Sequence, residues 1–303
     1  MLRSFSLLCL LAGLSAPALA CDMRSSARAD ALVDYVTDGQ ACLETVPETF
    51  RFDEEIEQQF QRKINQERDE RDLPRLKIRT ELLPAARFHS LDMGVNAFFG
   101  HRSPAGLAHS DRIAAFDRQL LSDRSAENVA QFGPAICMDQ NDKEVSCLLA
   151  PGFKLPTRTL VSNDLHQKLM LSNGHRENIL DPDMTHMAVG VARTDTGFYV
   201  TQLFASDVGS FDTPVPLQLQ AGSRLAFNAD VEGWDSVAFA VSKDEDPIDL
   251  TNQTLPKDLS EDVLLNIRAE RVTIVQDGPR ERQSVYWIYL SGPKVTVVPA
   301  KGS

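Results

Sequence analysis

The 303-residue sequence is poor in positive charge, in cysteine and in histidine: 31 basic residues face 43 acidic ones, with five cysteines and six histidines. The charge deficit, formally −12, argues against nucleic acid or an anionic membrane surface as partner, since both attract basic proteins. A Gly-rich phosphate loop, a dinucleotide fingerprint, a Ser nucleophile elbow and a His-Glu-x-x-His helix are all missing, so the enzyme classes built on them are excluded. A membrane span needs roughly 20 apolar residues, and the apolar stretch at residues 5–14 is too short.

That stretch has another reading. Arg3 gives a positive start, residues 5–14 an apolar core, and Ala18-Leu19-Ala20 a small-residue cleavage site, the pattern of a secretory leader over residues 1–20. Its removal takes one base and no acid, leaving 30 against 43, or −13. The expected location is the periplasm or the extracellular space, with no transmembrane span. Cys9 leaves with the leader, and Cys21, Cys42, Cys137 and Cys147 remain, an even number in an oxidising compartment. The sequence-local pairing is Cys21–Cys42 and Cys137–Cys147, one of three connectivities open to four cysteines. Cys21 follows the cleavage site directly, so a lipid anchor there is the alternative.

The length suggests two domains, and 43% hydrophobic with 24% charged residues is ordinary for a soluble protein. After an N-terminal arm (21–52) with Leu32, Val33 and Val36 at helical spacing, a helix is expected from Asp53. Ile56, Phe60 and Ile64 form its apolar stripe, and Glu54, Glu55, Arg62, Glu67 and Arg68 its wet face. Thr80 is a suitable N-cap for a second helix carrying Phe88, Leu91, Val95 and Phe98. His89 lies inside it, where a histidine is more often a core residue than a reactive one. His101 follows in a turn-rich loop, residues 111–116 read as a brief helix, and Glu127 stands in the run Ser125-Ala126-Glu127-Asn128-Val129-Ala130. A carboxylate in such company needs a partner, a basic side chain or a metal.

Residues 133–157 read as an insertion that carries Cys137 and Cys147, and another helix follows to about Leu171. Gly174-His175 is expected in a turn before a β-hairpin, whose strands flank Thr194-Asp195-Thr196-Gly197. Phe198, Val200, Gln202 and Phe204 fall on one strand face, and Tyr199, Thr201 and Leu203 on the other. His186 reads as an exposed strand-start residue without a role. Beyond a Gly, Ser, Asp and Pro-rich linker near residue 207, about seven alternating segments with turns between them suggest a small all-β sandwich or barrel. They begin with Leu217/Leu219 and Leu225/Phe227, include Val272/Ile274 as a strand of its own, and end with Val295/Val297.

Five motifs occur in order: Ile64-Asn65-Gln66-Glu67-Arg68, His89-Ser90-Leu91-Asp92-Met93, Phe98-Phe99-Gly100-His101-Arg102-Ser103-Pro104, Ala126-Glu127-Asn128, and Ser172-Asn173-Gly174-His175-Arg176-Glu177-Asn178-Ile179-Leu180. Together they resemble the CAP superfamily (cysteine-rich secretory proteins, antigen 5 and pathogenesis-related proteins; SCP-like domain) in its bacterial exported form, over about residues 54–206. The resemblance implies a CAP-type α-β-α sandwich, here over residues 53–206 with the insertion at 133–157; the β-rich domain at 207–303 lies outside the resemblance, and the chain as a whole reads as α+β. It also implies a cleft with two histidines and two acids. His101, Glu127 and His175 match three of these positions. The fourth is Gln167 here, with Asp164 nearly one turn earlier as a substitute.

Two imidazoles and a carboxylate form a credible site for Zn²⁺ or another divalent cation with an open fourth position. The bland alternative is that the same groups hydrogen-bond to one another and brace the cleft. Two function classes stay open. One is an exported binding or interaction module, expected to be a monomer, taking a small ligand or a protein partner. The other is a metal-assisted, peptidase-like hydrolase with Glu127 as base.

Overall fold

The computed structural model describes residues 21, 23, 32–133, 136–138, 144–146, 155–243, 247–277 and 280–300. The leader and Cys147 lie outside these residues, and with them the expected Cys137–Cys147 bridge. Cys21 and Cys42 form a disulfide, which ties the start of the arm to its helix α1 (Leu32–Glu44).

One sheet organises the first two thirds of the chain. Its strands are β1 (Arg51–Phe52), β2 (Lys77–Ile78), β4 (Ser125–Phe132), β7 (His186–Arg193) and β8 (Phe198–Ala205). The order is β1-β7-β8-β4, antiparallel, with β2 alongside β7 in parallel. The β7–β8 hairpin closes as the sequence implies, with Thr194 N donating to Gly197 O at 2.9 Å. Two helices end in the connection to β4: α3 (Leu83–Val95) and α4 (His109–Phe116). The other layer consists of α2 (Glu54–Asp69), α5 (Arg158–Leu171) and α6 (Asn173–Leu180).

Strand alternation sorts the two cores. On β7, Ala188 and Ala192 face α1, α3 and α4, while Met187, Val189 and Val191 face α2, α5 and α6. On β8, Phe198, Val200 and Phe204 join the second core and Leu203 the first. The result is an α-β-α sandwich with apolar side chains on both sheet faces. The small residues on one face of β7 set the helix distance. A Cβ at Gly190 would collide with the backbone of Ala86 and Arg87 in α3, and Ser90 Oγ of the same helix donates to Gly190 O at 2.9 Å.

Helix α2 starts where the sequence places it, with Asp53 Oδ1 accepting from Ile56 N at 3.3 Å. Arg68 corrects the wet-face reading, because it is fully buried. Its guanidinium donates to Pro74 O (2.7 Å), Ile179 O (2.9 Å) and Asp181 O (2.8 Å). It satisfies carbonyls at the end of α6, which helix geometry leaves unpaired. Thr80 is not the cap of α3; residues Thr80–Leu82 form a 3-10 turn that leads into it. The β5 (Ile136–Met138) and β6 (Glu144–Ser146) strands pair as a separate ribbon.

The C-terminal region is a β-sandwich. One layer holds β10 (Gln218–Gln220), β12 (Ser236–Ser242), β13 (Ile248–Asp249), β14 (Asp262–Asp277), β15 (Arg280–Leu290) and β16 (Lys294–Val298), in the order β10-β16-β14-β12-β13 with β15 also on β14. The other holds β9 (Gly209–Phe211) and β11 (Ala229–Val231), joined by β3 (Leu120–Leu121), which comes from between α4 and β4. Leu121, Phe211 and Val231 meet Phe239, Leu265 and Ile267 in a third core. Two expected strands differ. Val272 and Ile274 continue β14 rather than starting anew, and Leu225 and Phe227 lie outside any strand.

Arg118 holds the junction between the two regions. It donates to Val215 O (2.9 Å), Pro216 O (2.9 Å), Lys294 O (2.6 Å) and Ala114 O (2.9 Å). Burial lowers its pKa to about 10, against the attraction of Asp117. Arg79 holds a neighbouring point, bonded to Asp117 (2.6 Å) and to Asp207 (2.9 Å). His186 belongs to this network: its Nδ1 lies 3.6 Å from Asp207 and its side chain is only 17% exposed. The reading of an exposed strand-start residue is therefore corrected.

Candidate functional site

Strand β4 is the edge of the first sheet, so Glu127 sits where the two helical layers can meet around the sheet margin. Alternation turns Ala126 and Ala130 into the second core and Glu127 toward α3 and α4. Helix α3 brings His89, the connection after it brings His101, α4 brings His109 and Arg112, and α6 brings His175 from the opposite layer.

Glu127 is enclosed, its side chain 1% exposed. His101 Nδ1 lies 2.9 Å from Oε1, and the Arg112 guanidinium, itself fully buried, donates to Oε2. His89 Nε2 stands 4.0 Å from Oε1 and 2.9 Å from Gly100 O. The carbonyl accepts, so Nε2 carries the proton and Nδ1, buried without a hydrogen-bond partner, does not. The ring of His101, 53% exposed, lies 6.4 Å from that of His175 between centroids. The structure thus brings together three of the four residues that the sequence proposes.

A second set of bonds fixes the backbone of the site. Arg112 also donates to His101 O (2.9 Å) and Leu107 O (2.8 Å), which shapes the loop around Gly106 at φ +82. Only glycine adopts that left-handed conformation cheaply. Asn178 Nδ2 donates to Glu127 O (3.1 Å) and Asn128 Oδ1 (2.9 Å), and Asn128 Nδ2 donates to His175 O (3.1 Å). The Asn178 of the sequence motif therefore positions α6 against β4.

Gln167 is not brought to this group. Leu165, His166 and Leu169 take the inner face of α5, which leaves Gln167 exposed, with no hydrogen bond to His101, Glu127 or His175 among the described residues. Asp164 is paired with Lys168 on the same helix at 2.8 Å. The Gly174–His175 turn is corrected as well: Ser172 breaks the chain in extended conformation, and both residues belong to the first turn of α6. Gly174 needs no left-handed φ there, and a Cβ would meet nothing within 4 Å.

Burial pushes the Glu127 carboxyl up, but the His101 hydrogen bond and the Arg112 charge outweigh it and hold the group below the usual carboxylate range. Burial, then the Arg112 charge, pushes His89 down to about 4. Burial also lowers His109 and His175 from the ordinary histidine value, with His101 adding to the effect at His175. At neutral pH the centre is an ionised carboxylate with neutral His89, His109 and His175 around it.

This arrangement does not fit a divalent cation. Both Glu127 oxygens are committed, one of them to a fixed buried cation, and the carboxylate's charge is already balanced. Among the described residues no cluster of three or more His, Cys, Asp or Glu is arranged to hold a metal.

Sequence reading missed Arg112 and His109. The signal was there for Arg112: an arginine inside the apolar brief helix, when Glu127 had been assigned a basic or metallic partner. His109 offered no signal beyond its position at the helix start.

Residues 61–204 match the model of the CAP family, the cysteine-rich secretory protein family. The uncharacterized protein YkwD of Bacillus subtilis (strain 168) is 30% identical over 140 residues, 46% of this chain and 43% of its own length. The chain thus spans less than half of that curated relative. A solved extracellular protein with an SCP domain from Bacillus anthracis str. Ames is 24% identical, covering 50% of this chain and 40% of that one at a TM-score of 0.36. An outer surface protein of Borrelia burgdorferi is 16% identical, covering 52% and 98% at a TM-score of 0.38.

Proposed function

The chain belongs to the CAP superfamily through residues 61–204, and we propose that it acts outside the cytoplasm as a binding module, with the His101–His175 cleft as its ligand site. The leader-like residues 1–20 and the Cys21–Cys42 disulfide support export. The described residues include no helix long and apolar enough to cross a membrane.

One observation carries the binding reading. Glu127 places one oxygen on His101 and the other on Arg112 and is enclosed, so it orients the cleft and presents no open face to an incoming metal or water. With Nδ1 of His101 on that carboxylate, Nε2 is the nitrogen left for a ligand, beside the neutral ring of His175. The neutral His175 ring and the free Nε2 of His101 at a half-exposed rim suit a small molecule or a protein segment that presents hydroxyl or amide groups. The test is native mass spectrometry of the protein isolated from its own exported fraction, beside His175→Ala. A small molecule retained by wild type and lost by the variant is expected. Equal occupancy, or none in either protein, would remove the cleft from consideration.

The hydrolase reading survives in altered form. The pair His101–Glu127 is a histidine held in one tautomer by a buried carboxylate, so His101, rather than Glu127, is the group able to take a proton. No nucleophile with an ordered bond to His101 Nε2 occurs among the described residues. We expect no turnover of generic peptide, ester or glycan substrates, with or without added zinc. Turnover abolished by His101→Ala in a folded protein would reverse the assignment. Zinc dependence of that turnover would restore the metal-assisted form.

A further inference from the structure

A second site lies in the C-terminal sandwich, away from the cleft. Leu225, Phe227, Val237 and Phe239 line a groove of about 560 Å³, with Arg224 and Gln253 at its margin. The volume falls within the roughly 300–1,000 Å³ of small-ligand and peptide sites. Its walls are aromatic: the Phe227 ring packs edge-on against Phe211 and Phe239 at 6.2 and 6.4 Å.

The groove follows an unfinished sheet edge. On β12, Phe239 points its backbone away from β14: its N–H donates to Gln253 Oε1 (2.9 Å) and its carbonyl accepts from Leu250 N (2.9 Å). Strand geometry repeats every two residues, so Val237 points its N–H and C=O the same way. There β13, which pairs only with Ala240 and Val241, no longer reaches. Neither group of Val237 has a partner among the described residues. Across the groove, Leu225 N bonds Gln253 O (2.8 Å) and Asn228 O accepts from Asp212 N (3.0 Å), while the backbone of Ala226 and Phe227 between them is equally unpaired. Asn252 and Gln253, which end the coverage of β12, both hold left-handed backbone conformations, φ +51 and +57. Such strain in non-glycine residues concentrates where function needs a particular backbone path.

Two facing stretches of unpaired backbone, one of them on a strand, over an aromatic floor call for an occupant with its own backbone donors and acceptors, which a lipid lacks. Arg224 adds a charge requirement. It is exposed and has no ion pair among the described residues, in a chain with 12 more acidic than basic residues. On such an occupant the complement of a guanidinium is an acidic side chain. We propose that this groove binds an extended peptide segment of a partner protein, added as a strand along β12 at Val237, with an Asp or Glu side chain of the segment paired to Arg224.

The test uses the full chain and a display library of random segments of about nine residues, strand length, each held internally so that no free terminus is offered. Selection should enrich segments that alternate apolar residues and carry an acid. For the best of them, as a doubly capped peptide, Arg224→Glu should weaken binding by about tenfold or more, the loss of a charge-assisted hydrogen bond. Replacing the peptide's acid with its amide should do the same. Hydrogen exchange of the Val237 amide should slow when peptide is added, a readout that needs no variant to fold. Failure to enrich any segment, binding indifferent to Arg224→Glu, or unchanged exchange at Val237 would each overturn the proposal. So would slowing of that exchange by protein concentration alone, which would assign the edge to a second copy of the chain.

Discussion

Arg112 reaches from helix α4 to the Oε2 of Glu127 on strand β4, and both side chains are buried. The pair is a structural charge couple under the cleft rather than a rim salt bridge, so its energetics differ from those of surface pairs. Breaking a buried pair strands the survivor, at roughly 3–5 kcal/mol, whereas replacing both members by apolar groups can be nearly neutral. We therefore expect Arg112→Met and Glu127→Leu each to lower stability by a few kcal/mol, and the double variant to recover much of the loss. Urea denaturation of the four proteins measures it. Additive losses would show that the two side chains act separately.

Buried near this pair, Asp92 provides a pH signature. Burial raises its carboxyl from 3.8 to about 6, against the hydrogen bond from Asn96 Nδ2 at 2.6 Å. The folded protein holds this proton more tightly than the unfolded chain does. Its contribution to stability is therefore complete below pH 3.8 and is lost as pH rises through about 6. His89 runs the other way. Its folded value of about 4 lies below the ordinary 6.5, so stability is lost as pH falls from 6.5 through about 4. Asp92→Asn removes only the first effect. It should stabilise the protein by up to about 3 kcal/mol at pH 8, at about 1.4 kcal/mol per pKa unit, and change little at pH 4. Thermal midpoints across that range measure it; a stabilisation independent of pH would show that ionisation is not its cause.

Two glycines that look alike in the sequence should respond oppositely to alanine. At Gly190 the new Cβ would strike the backbone of Ala86 and Arg87, so helix and sheet must separate. At Gly174, in the first turn of α6, it meets nothing. Gly190→Ala should destabilise by more than about 2 kcal/mol, a backbone clash being costlier than ordinary overpacking of 1–3. Gly174→Ala should stabilise by roughly 0.4–1 kcal/mol through helix propensity and loss of unfolded-state freedom. Circular dichroism melts decide both, and a neutral Gly190→Ala would mean that α3 can shift without cost.

These contrasts mark how far the sequence could be read. Its periodicity located α2, the β7–β8 hairpin and the cores that alternate along them, because burial of Phe60, Val191 or Phe204 leaves a pattern in the order of residues. The motif around His101, Glu127 and His175 named three side chains that the fold does assemble. What periodicity could not carry was the fate of long polar side chains. Arg68 occupies a position that reads as wet, yet it is buried because four-residue helix ends leave carbonyls that a guanidinium can satisfy. Gln167 sits one residue from His166 on the same helix; alignment with a motif cannot say which of two neighbours turns inward, whereas the packing of Leu165 and Leu169 does. Nor could the sequence reveal that β3 crosses into the C-terminal sandwich, since a two-residue strand has no period.

That crossing sets up the last prediction. The composition break near residue 207 suggests that residues 21–206 fold alone, and the first two cores contain only residues before it, except for Leu217 packed at the margin of one. Yet β3 pairs with β9 through Leu120 and Leu121, Leu121 lies in the third core, and Arg118 spends three of its bonds on residues after the boundary. A chain ending at residue 206 should therefore keep the α-β-α sandwich but expose Leu121 and leave Arg118 short of partners. We expect it to be cooperative in urea yet less soluble than the full chain. Leu121→Ser should then improve the solubility of the truncated protein, while in the full chain the same change should cost roughly 2–5 kcal/mol, as for other losses of a buried leucine. Opposite effects of one substitution in the two proteins would place Leu121 at a covered interface between independent folding units. A truncated protein without a cooperative transition would show instead that the three cores fold as one, and the boundary at residue 207 would then have no thermodynamic meaning.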